Sequence, residues 1–204
     1  MNCVIVCGAE IRDYKKISSY IDTDDFVIYC DGGLNHEAGL GVKPDLIVGD
    51  FDSHKKPKTH IEVIELPKEK DDTDSIFALK EGVKRGFQSF LMIGALGKRF
   101  DHGFANVSAL LMLNSLGLAG KILDDYCEME VVSDEAFVSD EYPFFSLLNI
   151  SGEETDISIT HAKFPLEHKS IGCEYQYGVS NEVIPGERAY IKVHKGRVLL
   201  VKDF

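Results

Sequence analysis

The stretch Pro44-Asp45-Leu46-Ile47-Val48-Gly49-Asp50-Phe51-Asp52-Ser53 decides how the chain is read. An apolar run stops at a glycine, and two carboxylates two residues apart follow at once. In extended backbone, side chains at i and i+2 leave the same face. Two ionised aspartates held that close repel by roughly 3 kcal/mol at an effective dielectric near 20. A fold that keeps both supplies a cation, and hard divalent ions take oxygen ligands of this kind. An acidic surface turn would have the same composition, since Asp and Gly are common loop residues. The choice between the two rests on what surrounds the stretch.

On either side, short apolar runs alternate with helical stretches. The runs are Cys3–Val6, Phe26–Cys30, Leu46–Val48, Glu62–Leu66 and Phe90–Ile93; the helices are expected around Tyr14–Ile21, Leu34–Leu40, Asp74–Arg85 and His102–Leu116. Ile76, Leu79 and Val83 share one helical face, and Gly86 ends that helix. Alternation of this kind implies a parallel sheet between helical layers. After about Lys121 the runs shorten and the helices stop: Met129–Val132, Phe144–Ile150, Ile157–Thr160 and Ala189–Val193 are separated by turn residues. Tyr190–Val193 and Val198–Val201, around His194-Lys195-Gly196-Arg197, read as a hairpin. The expected architecture is α/β over residues 1–120 followed by an all-β sandwich or small barrel over 121–204.

The chain has 204 residues, 44% hydrophobic and 27% charged, a globular composition with room for two cores. A formal net charge of −12 without a Lys/Arg cluster argues against nucleic-acid binding, which needs a basic footprint. No apolar run approaches the roughly 18 residues of a membrane span. Five cysteines (Cys3, Cys7, Cys30, Cys127, Cys173) lack zinc-type spacing; their odd number and the missing signal peptide point to a reducing cytoplasm.

In open α/β sheets, ligands bind beyond the carboxyl ends of the strands. Four expected strand ends carry polar groups. Asp31-Gly32-Gly33 could be an ordinary turn; as a site, its glycines would let backbone N–H groups approach a phosphate at a helix start. It matches neither familiar glycine-rich nucleotide fingerprint. Asp50 and Asp52 follow the next run. Lys70-Asp71-Asp72-Thr73-Asp74 exceeds what capping needs, and Asp74 could join Asp50 and Asp52 around magnesium. In Gly97-Lys98-Arg99-Phe100-Asp101-His102, Arg99 can grip phosphate oxygens in a bidentate way and Lys98 can act as a point charge. His102 and Asn106 lie one helical turn apart. In the second unit, Gly178-Val179-Ser180-Asn181-Glu182 reads as a turn or a site, and Tyr175 and Tyr177 could wall a flat ring. His36, His54, His60, His161, His168 and His194 form no recognisable ligand set.

The order of these elements resembles the thiamine pyrophosphokinase family. Asp31-Gly32-Gly33, Gly49-Asp50-Phe51-Asp52-Ser53, Lys70-Asp71-Asp72-Thr73-Asp74, Gly94–His102, Asn106 and Gly178-Val179-Ser180-Asn181 carry the match. The resemblance implies an ATP-binding catalytic domain and a thiamine-binding β-sandwich, assembled as a cytoplasmic homodimer. It implies magnesium-dependent transfer of pyrophosphate from ATP to the thiamine hydroxyl, releasing AMP. Asp50, Asp52 and Asp74 would hold one or two magnesium ions, while Lys70 and Arg99 stabilise developing charge. Asp31, Gly32, Gly33, Thr73, Lys98, His102 and Asn106 would help seat the nucleotide. Asp74 or Asp101 would orient or deprotonate the hydroxyl. Thiamine would lie between subunits, near Ser180 and Asn181. Many relatives place a tryptophan near the thiazolium and this chain has none, so Tyr175 or Tyr177 would cover the ring. A pterin-type alcohol as acceptor, and a non-catalytic sensor of nucleotide or thiamine diphosphate, are the rival readings.

Overall fold

Runs of β-branched and aromatic residues form strands where turn residues bound them. The computed structural model, which describes residues 1–51, 55–69 and 71–204, divides into two units, Met1–Asp125 and Tyr126–Phe204. Among the described residues, no helix is long and apolar enough to cross a membrane.

The first unit contains β1 (Cys3–Val6), α1 (Tyr14–Ser18), β2 (Phe26–Cys30), a 3₁₀ turn (Gly32–His36), α2 (Glu37–Leu40) and β3 (Leu46–Gly49). It continues through β4 (Glu62–Glu65), α3 (Asp74–Lys84), β5 (Ser89–Ile93), α4 (Phe100–Ser115) and β6 (Ala119–Leu123). The strands run in the order β6-β5-β1-β2-β3-β4, every pair parallel. Strand order therefore reverses at β1, and in such sheets the crevice opens at the strands' carboxyl ends.

Burial on both faces explains why β1 and β3 read as continuous apolar runs. Alternate residues Val4, Val6, Val27, Tyr29, Leu91 and Ile93 share one core with Ile17, Leu34 and Leu40. On the opposite face α3 comes so close that a Cβ at Gly82 would meet the Phe90 ring at 2.7 Å and Cys3 Sγ at 2.8 Å. The helix expected over Leu34–Leu40 is the 3₁₀ turn leading into α2. The boundary expected at 120/121 falls inside β6, which pairs with β5 from Ala119 to Leu123; the break between units comes after Asp125.

The second unit is all strand: β7 (Cys127–Val132), β8 (Glu135–Ser139), β9 (Phe144–Leu148), β10 (Thr155–Thr160), β11 (Leu166–Ile171), β12 (Gly178–Asn181), β13 (Arg188–Lys195) and β14 (Val198–Asp203). They form antiparallel sets β12-β9-β14-β7 and β11-β10-β13-β8. One core draws on both, with Val132, Phe145, Leu147, Val198 and Leu200 facing Val138, Ile157, Ile159, Ile191 and Val193. This is a sandwich.

The hairpin expected at Gly196 is not formed. β13 pairs with β10 and β8, whereas β14 pairs with β7 and β9. Gly196, at φ 76°, carries the chain from one sheet to the other. Two alternating strands around a glycine turn bury the same residues whether they pair edge to edge or stack face to face, so periodicity alone does not separate the two outcomes.

Candidate active site

β2 ends at Cys30 and delivers Asp31; β3 ends at Gly49 and delivers Asp50; Thr73 caps α3 and Asp74 opens it. These three loops bring one carboxylate oxygen each from Asp31, Asp50 and Asp74 within 4.8 Å of one another. Cys30 pairs with Val48, which sets Asp31 beside Gly49. A Cβ on Gly49 would lie 2.6 Å from the Asp31 Cβ, so only glycine lets the two strand ends converge. Phe51 follows at φ 56°, a left-handed conformation costly for a bulky residue. Its ring packs against the first unit's core.

Asp31 is buried, and Asp50 and Asp74 are half-buried. Three ionised carboxylates at that separation repel by about 3 kcal/mol per pair at an effective dielectric near 20. An all-oxygen, anionic donor set of this kind fits a hard divalent cation, which would cancel that repulsion. The Cys30 thiol at the end of β2 is raised well above its ordinary value by its hydrogen bond with Cys7, by burial, and by the negative charges of Asp74 and Asp31.

Of the residues expected to hold metal, Asp50 and Asp74 come together here. The third carboxylate beside them is Asp31, read from the sequence as part of a nucleotide seat. Asp52 and Lys70 lie outside the described residues. Gly33 serves close packing: a Cβ there would sit 2.1 Å from the Val6 carbonyl oxygen of β1.

Thr73 Oγ1 accepts from the Ile76 N–H at 3.4 Å and lies 3.0 Å from Ser75 Oγ. Ser75 Oγ donates to Asn106 Oδ1 at 2.7 Å, and Asn106 Nδ2 donates to the Ala95 carbonyl at 2.8 Å. Asn106 is buried, and its amide ties the first turn of α3 to α4 and to the loop after β5. Arg99 grips Asp101 through two bonds of 3.0 and 2.7 Å, both side chains exposed. That pairing holds Asp101 well below the usual carboxylate range. Lys98 and His102 are exposed at the same end of α4.

In the second unit, Asn181 is buried and its amide is committed to backbone. Oδ1 accepts from the Phe164 and Glu182 N–H groups, and Nδ2 donates to the Phe164 carbonyl. Ser180 is exposed at φ 57°, its N–H donating to Ser146 Oγ at 3.0 Å. Tyr175 and Tyr177 are exposed with ring centroids 6.3 Å apart, and Lys169 Nζ lies 5.0 Å from the Tyr177 ring centre. Two of the histidines that form no recognisable ligand set in the sequence come together beside a carboxylate: one donor atom each from Asp156, His168 and His194 lies within 4.8 Å of the others. Their positions, far apart in sequence, carry no spacing signal.

Two family models match. Residues 17–119 fit "Thiamin pyrophosphokinase, catalytic domain", and residues 129–198 fit "Thiamin pyrophosphokinase, vitamin B1 binding domain". The chain is 23% identical over 212 residues to a thiamine pyrophosphokinase of Bacillus subtilis (strain 168), covering 98% of this chain and 97% of that protein. The crystal structure of thiamine pyrophosphokinase from Bacillus subtilis superposes with a TM-score of 0.88 at 22% identity, over 100% of this chain and 99% of the other. That from Geobacillus thermodenitrificans gives 0.83 at 25% identity, over 100% and 98%.

Proposed function

The chain belongs to the thiamin pyrophosphokinase family of enzymes, and on that premise we propose that Asp31, Asp50 and Asp74 hold the magnesium through which ATP donates pyrophosphate to the thiamine hydroxyl. The observation that carries this reading is the convergence of three carboxylates from three loops at one sheet edge. Bound there, magnesium supplies charge neutralisation for a polyphosphate and acidifies a coordinated hydroxyl. Asp52 joins the metal-holding set and Lys70 stabilises charge developing on the transferring group, both on the strength of their places in the motif. The first unit is the nucleotide-binding half in this reading, and the second takes thiamine.

The chain's own groups do the rest by position and charge. Lys98 neutralises phosphate as a point charge, and Arg99 exchanges Asp101 for phosphate oxygens. Asp74 or Asp101 orients or deprotonates the hydroxyl, Asp101 once Arg99 has released it to take phosphate. His102, Thr73, Asn106, Gly32 and Gly33 shape the nucleotide seat. Asn106 and Gly33 act through the packing they enforce. Ser180, Tyr175 and Tyr177 form the thiamine side of a homodimer, and Asn181 shapes it through the backbone its amide holds. The reducing cytoplasm is the compartment proposed for it.

The test is to incubate the purified chain with ATP, magnesium and candidate alcohols, and to separate AMP from ADP. AMP with thiamine is the expected result, abolished by excess chelator. Asp31→Asn and Asp50→Asn should each lower turnover on the order of 100-fold or more, with thermal stability unchanged or raised because repulsion is relieved. AMP formed only with a pterin alcohol would move the acceptor, and undiminished turnover in chelator would overturn the metal scheme.

A further inference from the structure

The outer face of the β11-β10-β13 sheet carries a second cluster, made of residues that the proposed reaction does not use. Asp156 and Ser158 point outward from β10, since Thr155, Ile157 and Ile159 point into the core. Both neighbouring strands break register beside them. Against β11, Ile157 pairs with Lys169 and Ile159 with Leu166, so Ser158 faces two residues, one of them His168. Against β13, Asp156 pairs with Lys195 and Ile157 with Val193, which leaves His194 as the extra residue. Bulges re-aim side chains, and these two turn a histidine from each flank toward the same spot. His168 adopts φ 45° to do so, a conformation that costs a non-glycine residue.

The side chains meet there. His168 Nδ1 lies 3.1 Å from Asp156 Oδ2, and Ser158 Oγ lies 2.8 Å from His194 Nε2. Ser158 Oγ also accepts the His168 backbone N–H at 3.0 Å. The two imidazole rings stack with centroids 4.0 Å apart, and one donor atom from each of Asp156, His168 and His194 falls within 4.8 Å of the others. Asp156 Oδ1 is buried with no hydrogen-bond partner among the described residues, an acceptor that a cation held by this carboxylate would satisfy.

We infer that Asp156, His168 and His194 form a binding site for a divalent transition-metal ion of the zinc class, separate from the magnesium-type carboxylate cluster. Two imidazoles and one carboxylate are the donors such ions prefer, whereas magnesium seeks oxygen alone. The 3.1 Å between His168 Nδ1 and Asp156 Oδ2 is near the roughly 3.3 Å that separates two donors on a tetrahedral zinc. The ion would replace the proton those two atoms share, and Ser158 Oγ would accept from His194 Nε2 and fix that ring, an outer hydrogen bond of the kind that orients ligating histidines. Three strands would then be pinned by one ion.

The test uses untagged full-length protein in saturating Mg²⁺, which occupies the carboxylate cluster, with Zn²⁺ alone as the probe in equilibrium dialysis. Wild type should bind one Zn²⁺ that His168→Gln and His194→Gln bind on the order of tenfold more weakly or worse, with pyrophosphoryl transfer unchanged in both. Zn²⁺ should raise the melting temperature of wild type and leave the variants' unmoved. In wild type itself, Co²⁺ should perturb the ring resonances of His168 and His194 and spare those of His36, His102 and His161, a readout that needs no variant to fold. Equal Zn²⁺ binding by wild type and the double variant, or Co²⁺ perturbation centred on other histidines, would overturn the site.

Discussion

Burial lowers the proton affinity of His36, which sits in the 3₁₀ turn after Asp31 with Nδ1 2.9 Å from the Tyr14 hydroxyl; a backbone bond with Ala9 only partly offsets this. The imidazole is therefore neutral in the fold at pH values where the unfolded chain takes up a proton. Stability from this residue is present above the ordinary value of 6.5 and is lost as pH falls through the lowered one, by at most about 1.4 kcal/mol per pH unit. Urea midpoints measured from pH 7 downward should fall more steeply in wild type than in His36→Gln, and parallel curves would refute the burial account. At this same scale the site was partly legible. Asp50 and Asp74 stood out because each follows an apolar run and exceeds what a turn needs. Asp31 did not declare itself a third partner, because its proximity depends on how β2 and β3 align and on the missing side chain of Gly49.

The register of β7 against β14 sets Lys202 opposite Glu128, with Glu130 Oε1 2.9 Å from the ammonium. Both Lys202 and Glu128 are buried. Burial alone would push the Lys202 pKa down, yet the hydrogen bonds and charges of the two glutamates outweigh it and raise the value. Its stabilising contribution is complete below the ordinary 10.5 and disappears as pH rises through the higher folded value. Lys202→Met should cost about 3–5 kcal/mol at neutral pH, since it would bury glutamate charge without its ammonium. Adding Glu128→Gln should recover part of that loss, and base-induced unfolding should lose its Lys202-dependent component. Chemical denaturation of the two variants decides it; a single variant as stable as wild type would show the pair to be idle. Strands and helices themselves were largely legible, because α3 has its Thr73 cap, its apolar stripe and Gly86 at φ 90° beyond its end. The turn at Gly196 was misread because pairing and stacking demand the same alternation. The bulges that turn His168 and His194 outward left no trace in hydropathy.

Across the whole molecule, Cys3, Cys7, Cys30 and Cys127 are buried and Cys173 is exposed. Burial, opposed by Arg85 and helped by Asp25, pushes the Cys3 thiol up to about 12, so it is protonated as well as hidden. Brief treatment of native protein with iodoacetamide should therefore modify Cys173 alone, and denaturant should open all five cysteines; intact-mass analysis counts the adducts, and rapid native labelling of more than one would contradict the burial. By itself the sequence determined that an α/β unit precedes an all-β unit and that acidic and basic groups recur at strand ends, because periodicity and turn chemistry are local properties of the chain. Which carboxylates share a centre, which sheet receives β14, and which histidines meet were decided only by the tertiary structure. Each of these depends on register and on close backbone approach between segments far apart in sequence, and no local pattern encodes those distances.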